Sequence, residues 1–331
     1  MPHPYLIRLD AQEDWLAWRK DRNLDGQMIE EAHDILLPEG PNMMYELNDS
    51  YWYGKANYHE HSTGWETFFI WDGKLDVTIR GKTALAESGD LICLPPWIPH
   101  KMDNANEPMT VWNGLFHGMG LIAGQKKWSM IQKTNPEMMD DPAIRANYMG
   151  NKNNIIRENP VYSVRVPKEQ IPEIRTYERP LALYEMPGVS MRQYTGRWEN
   201  DGLSEVWMIE MKKGLQVQYG RYVPNVDLFY VFEGEVKFEV AGEEFVAGPH
   251  CIVKIPHYAP RRFEALTDAK MFDAGGATHW NDFLEDMRSL KYLSPEKYAD
   301  EEYVKGVCKR HECYLQSVTY GDETVFNVTV Y

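Results

Sequence analysis

Two quoted stretches decide the fold: residues 59–73 read HEHSTGWETFFIWDG, and residues 89–104 read GDLICLPPWIPHKMDN. His59 and His61 are two residues apart, so they cannot share a helix face but do point to the same side of a β-strand. Glu66 opens a run rich in aromatic residues, which is typical of a following strand. The sequence therefore predicts that these side chains meet His100 inside a β-structure.

Three imidazoles and one carboxylate are a ligand set for a divalent metal ion with room for exchangeable ligands. We expect His59, His61, Glu66 and His100 to hold one ion, with Mn, Fe, Zn, Ni and Co all compatible with these ligands. A single histidine on a strand is more often a satisfied polar group, but four ligands at these spacings favour the metal site. Glu60 lies between the two histidines, so we expect it on the opposite face of the strand, solvated or close behind the ligands.

These stretches resemble the two motifs of the cupin superfamily. The first motif is matched with one residue fewer after its leading glycine, by Gly54, His59, His61, Glu66 and Gly73. The second motif is matched by Gly89, Pro95, His100 and Asn104, with Trp97 in place of the internal glycine. That departure concerns the conformation of the turn and leaves the ligand unchanged. The resemblance implies an all-β-dominated fold built from double-stranded β-helix (jelly-roll) barrels.

The second half of the chain repeats the spacing of the first, which indicates two cupin barrels. Gly81 follows Gly73 by eight residues, as Gly242 follows Gly234. A proline lies fourteen residues beyond the second glycine of each pair, and the strands between the glycines alternate apolar and polar residues. The chain is therefore expected to be a bicupin.

The second barrel lacks the ligands of the first. The same offsets place Gly220, Tyr222, Asp227 and Arg261 at the four ligand positions, and these residues do not form a transition-metal site. We expect no metal there, and instead an internal ion pair between Asp227 and Arg261. The alternative is an anion-binding pocket around Arg261 and Arg262.

Outside the barrels, the pattern predicts helical and connecting segments. Apolar spacing predicts a helix at 137–149, another after Gly276, and a further helix from Pro295 to Tyr303. The expected division is an N-terminal arm with short helices (1–40), the metal-binding cupin (41–118), a partly helical connector (119–178), the degenerate cupin (179–279), and a helical C-terminal extension with a final strand (280–331). The final strand is expected at Val325, Asn327, Val328 and Val330.

Composition excludes several classes of partner. A net charge of −15 argues against nucleic acid and anionic membranes, and no apolar run is long enough to span a bilayer. The start of the sequence lacks signal-peptide character, so a cytoplasmic location is expected. Four cysteines do not make a disulfide framework, and the spacing of Cys308 and Cys313 matches no common zinc motif. No nucleotide cofactor is expected, and the resemblance implies a homodimer.

An aromatic-rich barrel favours a small planar or cyclic oxygenated substrate. Alternation from Glu66 and His100 predicts that Phe68, Ile70 and Met102 face the barrel interior. Trp112 and Phe116 share one face of a later strand, although the sequence does not decide whether that face looks inward. These five residues are the candidate substrate pocket.

Three functions fit the predicted site. The metal acts as a Lewis acid that stabilises an enolate, with ring C–C hydrolysis or isomerisation and Glu66 moving a proton. Alternatively, Fe or another redox metal supports a dioxygenase that cleaves a phenolic or enediol compound with O₂. The resemblance leaves both open, because many ring-cleaving bicupins have three histidines without the glutamate, whereas flavonol-type dioxygenases carry it. The third possibility is a metal- or ligand-binding protein without catalysis.

Overall fold

The computed structural model divides into two compact units: Asp14–Arg179, the first-barrel unit, and Met1–Glu13 with Pro180–Tyr331, the second-barrel unit. The residues that the structure describes are 3–8, 35–39, 43–52, 58–103, 110–117, 134–141, 143–144, 154–156, 162–199, 205–221, 227–249, 251–256, 259–273, 280–311 and 313–327.

β-Strands dominate both units, as the sequence predicts. The strands are β1 (Leu6–Arg8), β2 (Ile35–Glu39), β3 (Met43–Trp52), β4 (His59–His61), β5 (Trp65–Asp72), β6 (Lys74–Ile79), β7 (Lys82–Glu87), β8 (Leu91–Leu94), β9 (His100–Asp103), β10 (Thr110–His117), β11 (Asn154–Ile156), β12 (Val164–Arg165), β13 (Ile174–Arg175), β14 (Ala182–Met186), β15 (Val189–Thr195), β16 (Val206–Met211), β17 (Leu215–Arg221), β18 (Asp227–Glu233), β19 (Val236–Val240), β20 (Glu243–Ala247), β21 (Cys251–Ile255), β22 (Arg261–Ala265), β23 (Ala269–Asp273), β24 (Cys313–Tyr320) and β25 (Glu323–Asn327).

Helices are few. The α-helices with described bounds are α1 (Trp280–Leu293), α2 (Pro295–Tyr298) and α3 (Glu301–Arg310), and short 3-10 helices lie at Pro136–Asp140, Lys168–Gln170 and Arg197–Glu199. No helix among the described residues is both long and apolar enough to cross a membrane.

The first barrel is made of two six-stranded sheets, ordered β13-β8-β5-β10-β3-β2 and β11-β4-β9-β6-β7-β12. Strand β6 illustrates how the sequence builds it. Leu75, Val77 and Ile79 are at most 2% exposed, while Lys74 is exposed, because alternate residues of a strand point to opposite faces. The turn that follows has positive φ at both Arg80 and Gly81, as a two-residue hairpin turn requires.

The second barrel repeats this plan with a seven-stranded sheet, β1-β21-β18-β23-β16-β15-β14, and a six-stranded sheet, β20-β19-β22-β17-β24-β25. Leu75 lies opposite Ala86 in β6–β7, and Val236 lies opposite Ala247 in β19–β20. The second hairpin also turns through a residue with positive φ followed by glycine. The two-barrel fold predicted from glycine and proline spacing is therefore confirmed.

Segments outside the two repeats add strands to the barrels. Strand β1 pairs with β21, which places Leu6 opposite Val253 in the second barrel. In the first-barrel unit, β12 pairs with β7 and β13 with β8. At the C-terminal end, β24 and β25 form a hairpin that continues the sheet from β17. Of this hairpin, the sequence predicted a final strand at Val325 but not β24.

The predicted helix from Pro295 to Tyr303 is interrupted. It ends at Tyr298, and Asp300 starts α3 by accepting hydrogen bonds from the backbone N–H groups of Glu302 and Tyr303. In the connector, the described part of the predicted helix 137–149 contains a 3-10 helix, Pro136–Asp140, in place of a continuous α-helix start. The helix predicted after Gly276 is α1, whose Phe283, Leu284 and Met287 belong to the core of the second barrel.

Some predictions concern residues outside the described part of the chain. These are the short helices of the arm, Tyr222, the remainder of the connector helix, and the last strand positions Val328 and Val330. The five segment boundaries expected from the sequence stay predictions.

Candidate metal centre

Three strands of the first barrel carry the predicted ligands. His59 and His61 lie on β4, Glu66 lies near the start of β5, and His100 is the first residue of β9. His59 and His100 are directly opposite each other across β4 and β9. Since opposite positions share a face of a sheet, this register brings ligands that are far apart in sequence to one place.

The four ligand groups converge. The ligand atoms of His59, His61, Glu66 and His100 all lie within 4.8 Å of one another. Glu66 Oε2 lies 3.1 Å from His61 Nε2 and 3.0 Å from His100 Nε2. Within the described part of the chain, this is the one cluster of three or more His, Cys, Asp or Glu residues with converging ligand atoms.

A backbone carbonyl orients the imidazole of His100. Its Nδ1 lies 2.8 Å from the carbonyl oxygen of Ile98. Because a carbonyl only accepts hydrogen bonds, Nδ1 carries the proton and, in the neutral ring, Nε2 presents its lone pair to Glu66. This arrangement is the usual support of a metal-binding histidine.

The site is buried and strongly polar. His61, Glu66 and His100 are at most 4% exposed. Burial alone would raise the pKa of Glu66, but the charge of His61 and the hydrogen bonds that His100 and His61 donate when their rings are protonated outweigh it, so the pKa lies well below its ordinary value. The carboxylate is therefore ionised and can act as an anionic ligand.

These residues fit a divalent cation. The lone pair of His100 Nε2 faces a carboxylate oxygen at 3.0 Å, and two acceptors at this distance need a shared proton or cation between them. With metal–ligand bonds of about 2.1 Å, two ligands at a right angle are about 3.0 Å apart, which agrees with both contacts of Glu66 Oε2. The donor set of nitrogen and oxygen atoms suits a transition metal.

Glu60 differs from one part of its prediction. Its side chain is 2% exposed, so it is buried and not solvated. It lies opposite Ile155 of β11, a strand contributed by the connector. Pairing with β11 gives β4 a neighbouring strand on this side, so the strand that carries Glu60 is not an open edge of the sheet.

The predicted pocket residues fall into two groups. Phe68, Ile70 and Met102 are at most 2% exposed and belong to the core cluster of the first barrel. The side chains of Trp112 and Phe116 lie outside the described part, but the backbone register places Trp112 opposite Ile70 and Phe116 opposite Glu66. These positions therefore share the face of β5 that carries the ligand, which the sequence alone does not decide. Their contact with a substrate stays a prediction.

Strand register corrects the offsets assumed for the second barrel. His59 lies opposite His100, whereas Tyr219 lies opposite Arg261. The position equivalent to His59 is therefore Tyr219 and not Gly220, and the position equivalent to His61 becomes Arg221 instead of Tyr222. The reason is a longer turn, because five residues separate Arg221 from Asp227 whereas four separate His61 from Glu66.

Arg261 and Arg262 lie on opposite faces of β22. Arg261 is 5% exposed, while Arg262 is exposed and forms ion pairs with Glu239 and Glu244 on the outer face. The two arginines therefore do not line one anion pocket. The expected ion pair with Asp227 stays a prediction, because the side chain of Asp227 lies outside the described part.

Sequence reasoning missed the contribution of residues 97 and 98 to the site. Ile98 acts through its carbonyl group, which no side-chain pattern reveals. The backbone N–H of Trp97 donates a 2.7 Å hydrogen bond to the carbonyl of His61. The replacement of the motif's internal glycine by Trp97 indicated that this turn is unusual. It did not predict the hydrogen bonds of the turn to His61 and His100.

Residues 53–115 match the family model described as "Cupin domain". Salicylate 1,2-dioxygenase from Pseudaminobacter salicylatoxidans has a similar fold, with a TM-score of 0.58 and 14% identity over 86% of each chain. A tryptophan-to-tyrosine variant of that enzyme in complex with gentisate gives a TM-score of 0.55 and 15% identity over 86% of this chain and 84% of that one. Curated protein sequences give no significant match.

Proposed function

We propose that the protein, whose residues 53–115 match a cupin family model, is a metal-dependent dioxygenase that cleaves a small phenolic or enediol compound with O₂. The observation that carries the proposal is the convergence of His59, His61, Glu66 and His100, of which the last three are buried. Support for oxygen chemistry comes from two structures with a similar fold, which are salicylate 1,2-dioxygenase and a variant of it in complex with gentisate.

The chain's own residues have defined tasks in this proposal. The three histidines and Glu66 would hold the ion, and the carbonyl of Ile98 keeps Nε2 of His100 directed at it. A redox-active divalent ion such as Fe would supply the electron transfer that activates O₂ next to a bound phenolate. Phe68, Ile70 and Met102 lie on the same strand faces as Glu66 and His100, and their buried side chains exclude water from the barrel interior next to the ligands.

A non-redox Lewis-acid enzyme is the second candidate, with enolate formation followed by ring C–C hydrolysis or isomerisation. Glu66 favours this Lewis-acid candidate, because many ring-cleaving bicupins bind their metal with three histidines and no glutamate. However, Oε2 of Glu66 contacts two imidazoles. That position suits a ligand better than a free proton carrier, so this candidate needs another group as its base.

Oxygen consumption separates the two candidates. Protein loaded in turn with Fe, Mn, Co, Ni or Zn is assayed with hydroxybenzoates, catechols and 1,3-dicarbonyl compounds, in air and under strict anaerobiosis. A dioxygenase consumes one O₂ per substrate and places both atoms of labelled oxygen in the product. Anaerobic turnover would contradict the proposal and support the Lewis-acid candidate. Metal binding without turnover of any compound would favour a non-catalytic role.

The remaining expectations from the sequence accompany this proposal. A homodimer and a cytoplasmic location stay predictions, as does the choice of Fe over the other metals. The oligomeric state is measurable by light scattering of the metal-loaded protein.

A further inference from the structure

The turn between β8 and β9 connects the metal ligands. Leu94, the last residue of β8, lies opposite Glu66, and β9 begins with His100. Within the turn, Trp97 N–H bonds the carbonyl of His61, and the carbonyl of Ile98 accepts from the ring of His100. The turn therefore lies at the end of the barrel where the ligands are, and it contacts two of them directly.

Trp97 has an unusual backbone conformation. Its φ is +63°, in the left-handed region that favours glycine. Among the described residues, the other non-glycine residues with positive φ are Arg80 and Ala241. Each of those precedes a glycine in a two-residue hairpin turn, where positive φ is ordinary. Trp97 therefore occupies the position of the motif's internal glycine, and its backbone has a conformation that favours glycine, although it carries the largest side chain.

The indole of Trp97 is also exposed. It is 59% exposed, while the next residue, Ile98, is 9% exposed and packs in the barrel core. A bulky side chain in a glycine conformation is unfavourable, and an exposed indole leaves apolar surface in water. Neither feature improves packing of the fold. Their combination at a turn bonded to two metal ligands indicates a functional role.

We propose that Trp97 is a substrate-binding residue whose indole forms one wall of the entrance to the metal centre and packs against the ring of a planar substrate. The inference rests on the proposed function and specifies its substrate class as a compound with a flat ring. Aromatic rings prefer offset or edge-to-face contacts with an indole, so stacking orients the ring without requiring a hydrogen bond. The same turn orients His100, so the wall and the ligand are held by one segment.

The test compares Trp97→Gly and Trp97→Phe with the wild-type protein. Trp97→Gly is expected to keep its metal content and an equal or higher Tm, because glycine adopts positive φ without strain. Its KM for a ring substrate is expected to rise about 5- to 10-fold with kcat nearly unchanged, and Trp97→Phe should recover much of that loss. Trp198→Phe is the matched control, since Trp198 is 60% exposed and belongs to the second-barrel unit.

Direct binding separates failure of this inference from failure of the proposed function. If no metal form turns over any compound, calorimetric titration of the metal-loaded protein with a hydroxybenzoate still compares wild type and Trp97→Gly. An unchanged KM and an unchanged dissociation constant in Trp97→Gly would overturn the inference. A loss of metal would show that Trp97 supports the ligands only. Conversion of an oligomer to a monomer would assign the indole to a subunit contact and would also overturn it.

Discussion

The two barrels place different residues at equivalent positions. His100 lies opposite Ile79, and Arg261 lies opposite Val240, so both stand at the start of the equivalent strand. Both are nearly buried, at 1% and 5% exposure. The apolar partner is thus kept while the polar residue changes from a metal ligand to a permanent cation. The barrel fold therefore depends on its apolar positions, and the polar residues at the ligand positions can change without a change in the fold.

The outer faces of equivalent hairpins also differ. In the first barrel, the hydroxyl groups of Thr78 and Thr83 are 2.7 Å apart, and Thr83 donates to Ser163, which precedes the added strand β12. In the second barrel, the equivalent hairpin presents Glu239 and Glu244, which pair with an exposed arginine. At this pair of opposite positions, the first barrel therefore has hydroxyl groups bonded to the connecting segment, and the second barrel has exposed charges.

The largest expected effect is the loss of a metal ligand. His100→Ala should reduce metal affinity at least about 100-fold, because it removes a nitrogen that faces the shared carboxylate at 3.0 Å. The measurement is metal content per chain after dialysis, together with turnover. His311→Ala is the control, because this histidine belongs to the second-barrel unit and pairs with Asp286. Full metal content and turnover in His100→Ala would contradict the metal centre.

Equivalent phenylalanines in the two barrels should separate stability from function. Phe68 lies opposite Ile92 and Phe229 lies opposite Val253, and both phenylalanines are at most 2% exposed. Replacing either by alanine should lower the free energy of unfolding of its own barrel by about 3–5 kcal/mol. Only Phe68→Ala should also weaken turnover, measured as kcat/KM of metal-loaded protein. An equal loss of turnover in Phe229→Ala would contradict the expectation that turnover depends on the core of the first barrel and not on that of the second.

The covered and open hairpin faces should respond differently to substitution. Thr83→Val leaves the buried hydroxyl of Thr78 without this partner and should cost about 1–3 kcal/mol of unfolding free energy. Arg262→Ala removes exposed ion pairs and should cost about 1 kcal/mol or less. Denaturant unfolding of both variants measures the difference. A larger loss of unfolding free energy in Arg262→Ala than in Thr83→Val would contradict the description of the first hairpin face as covered and the second as open.

The smallest expected effect is at the second barrel's ligand position. Arg261→His should leave the metal content at one ion per chain, because Tyr219 and Arg221 occupy the other histidine positions and supply no imidazole. Metal analysis of the variant beside the wild type checks this expectation. A second bound ion would mean that a single substitution restores the site.

The metal ligands could be predicted because strand periodicity is local and the motif spacing is short. The second barrel shows the limit of that method. Counting from glycines gave Tyr222 and Gly220, and the extra residue in the turn before Asp227 shifted both positions by one. Only strand pairing reveals such a shift, because a turn can change length without altering the apolar alternation on either side.

Other misses have identifiable physical causes. Asp300 followed by two glutamates is a helix-start signal that was present in the sequence, so the break after Tyr298 was predictable. Strand β1 has only three residues, too few to give a periodic pattern. The left-handed conformation of Trp97 contradicts residue preference and is accompanied by a hydrogen bond from its backbone N–H to His61, a residue distant in sequence.

The pairing of β1 with β21 makes the second barrel discontinuous in sequence, with the first barrel inserted between two of its strands. On the ribosome, Leu6 emerges long before its partner Val253, so the first barrel can complete while β1 still awaits the strand with which it pairs. A fragment that starts at residue 180 would expose the backbone edge of β21 to association with other chains. The nascent chain therefore completes its second barrel with a strand that it made before the first barrel.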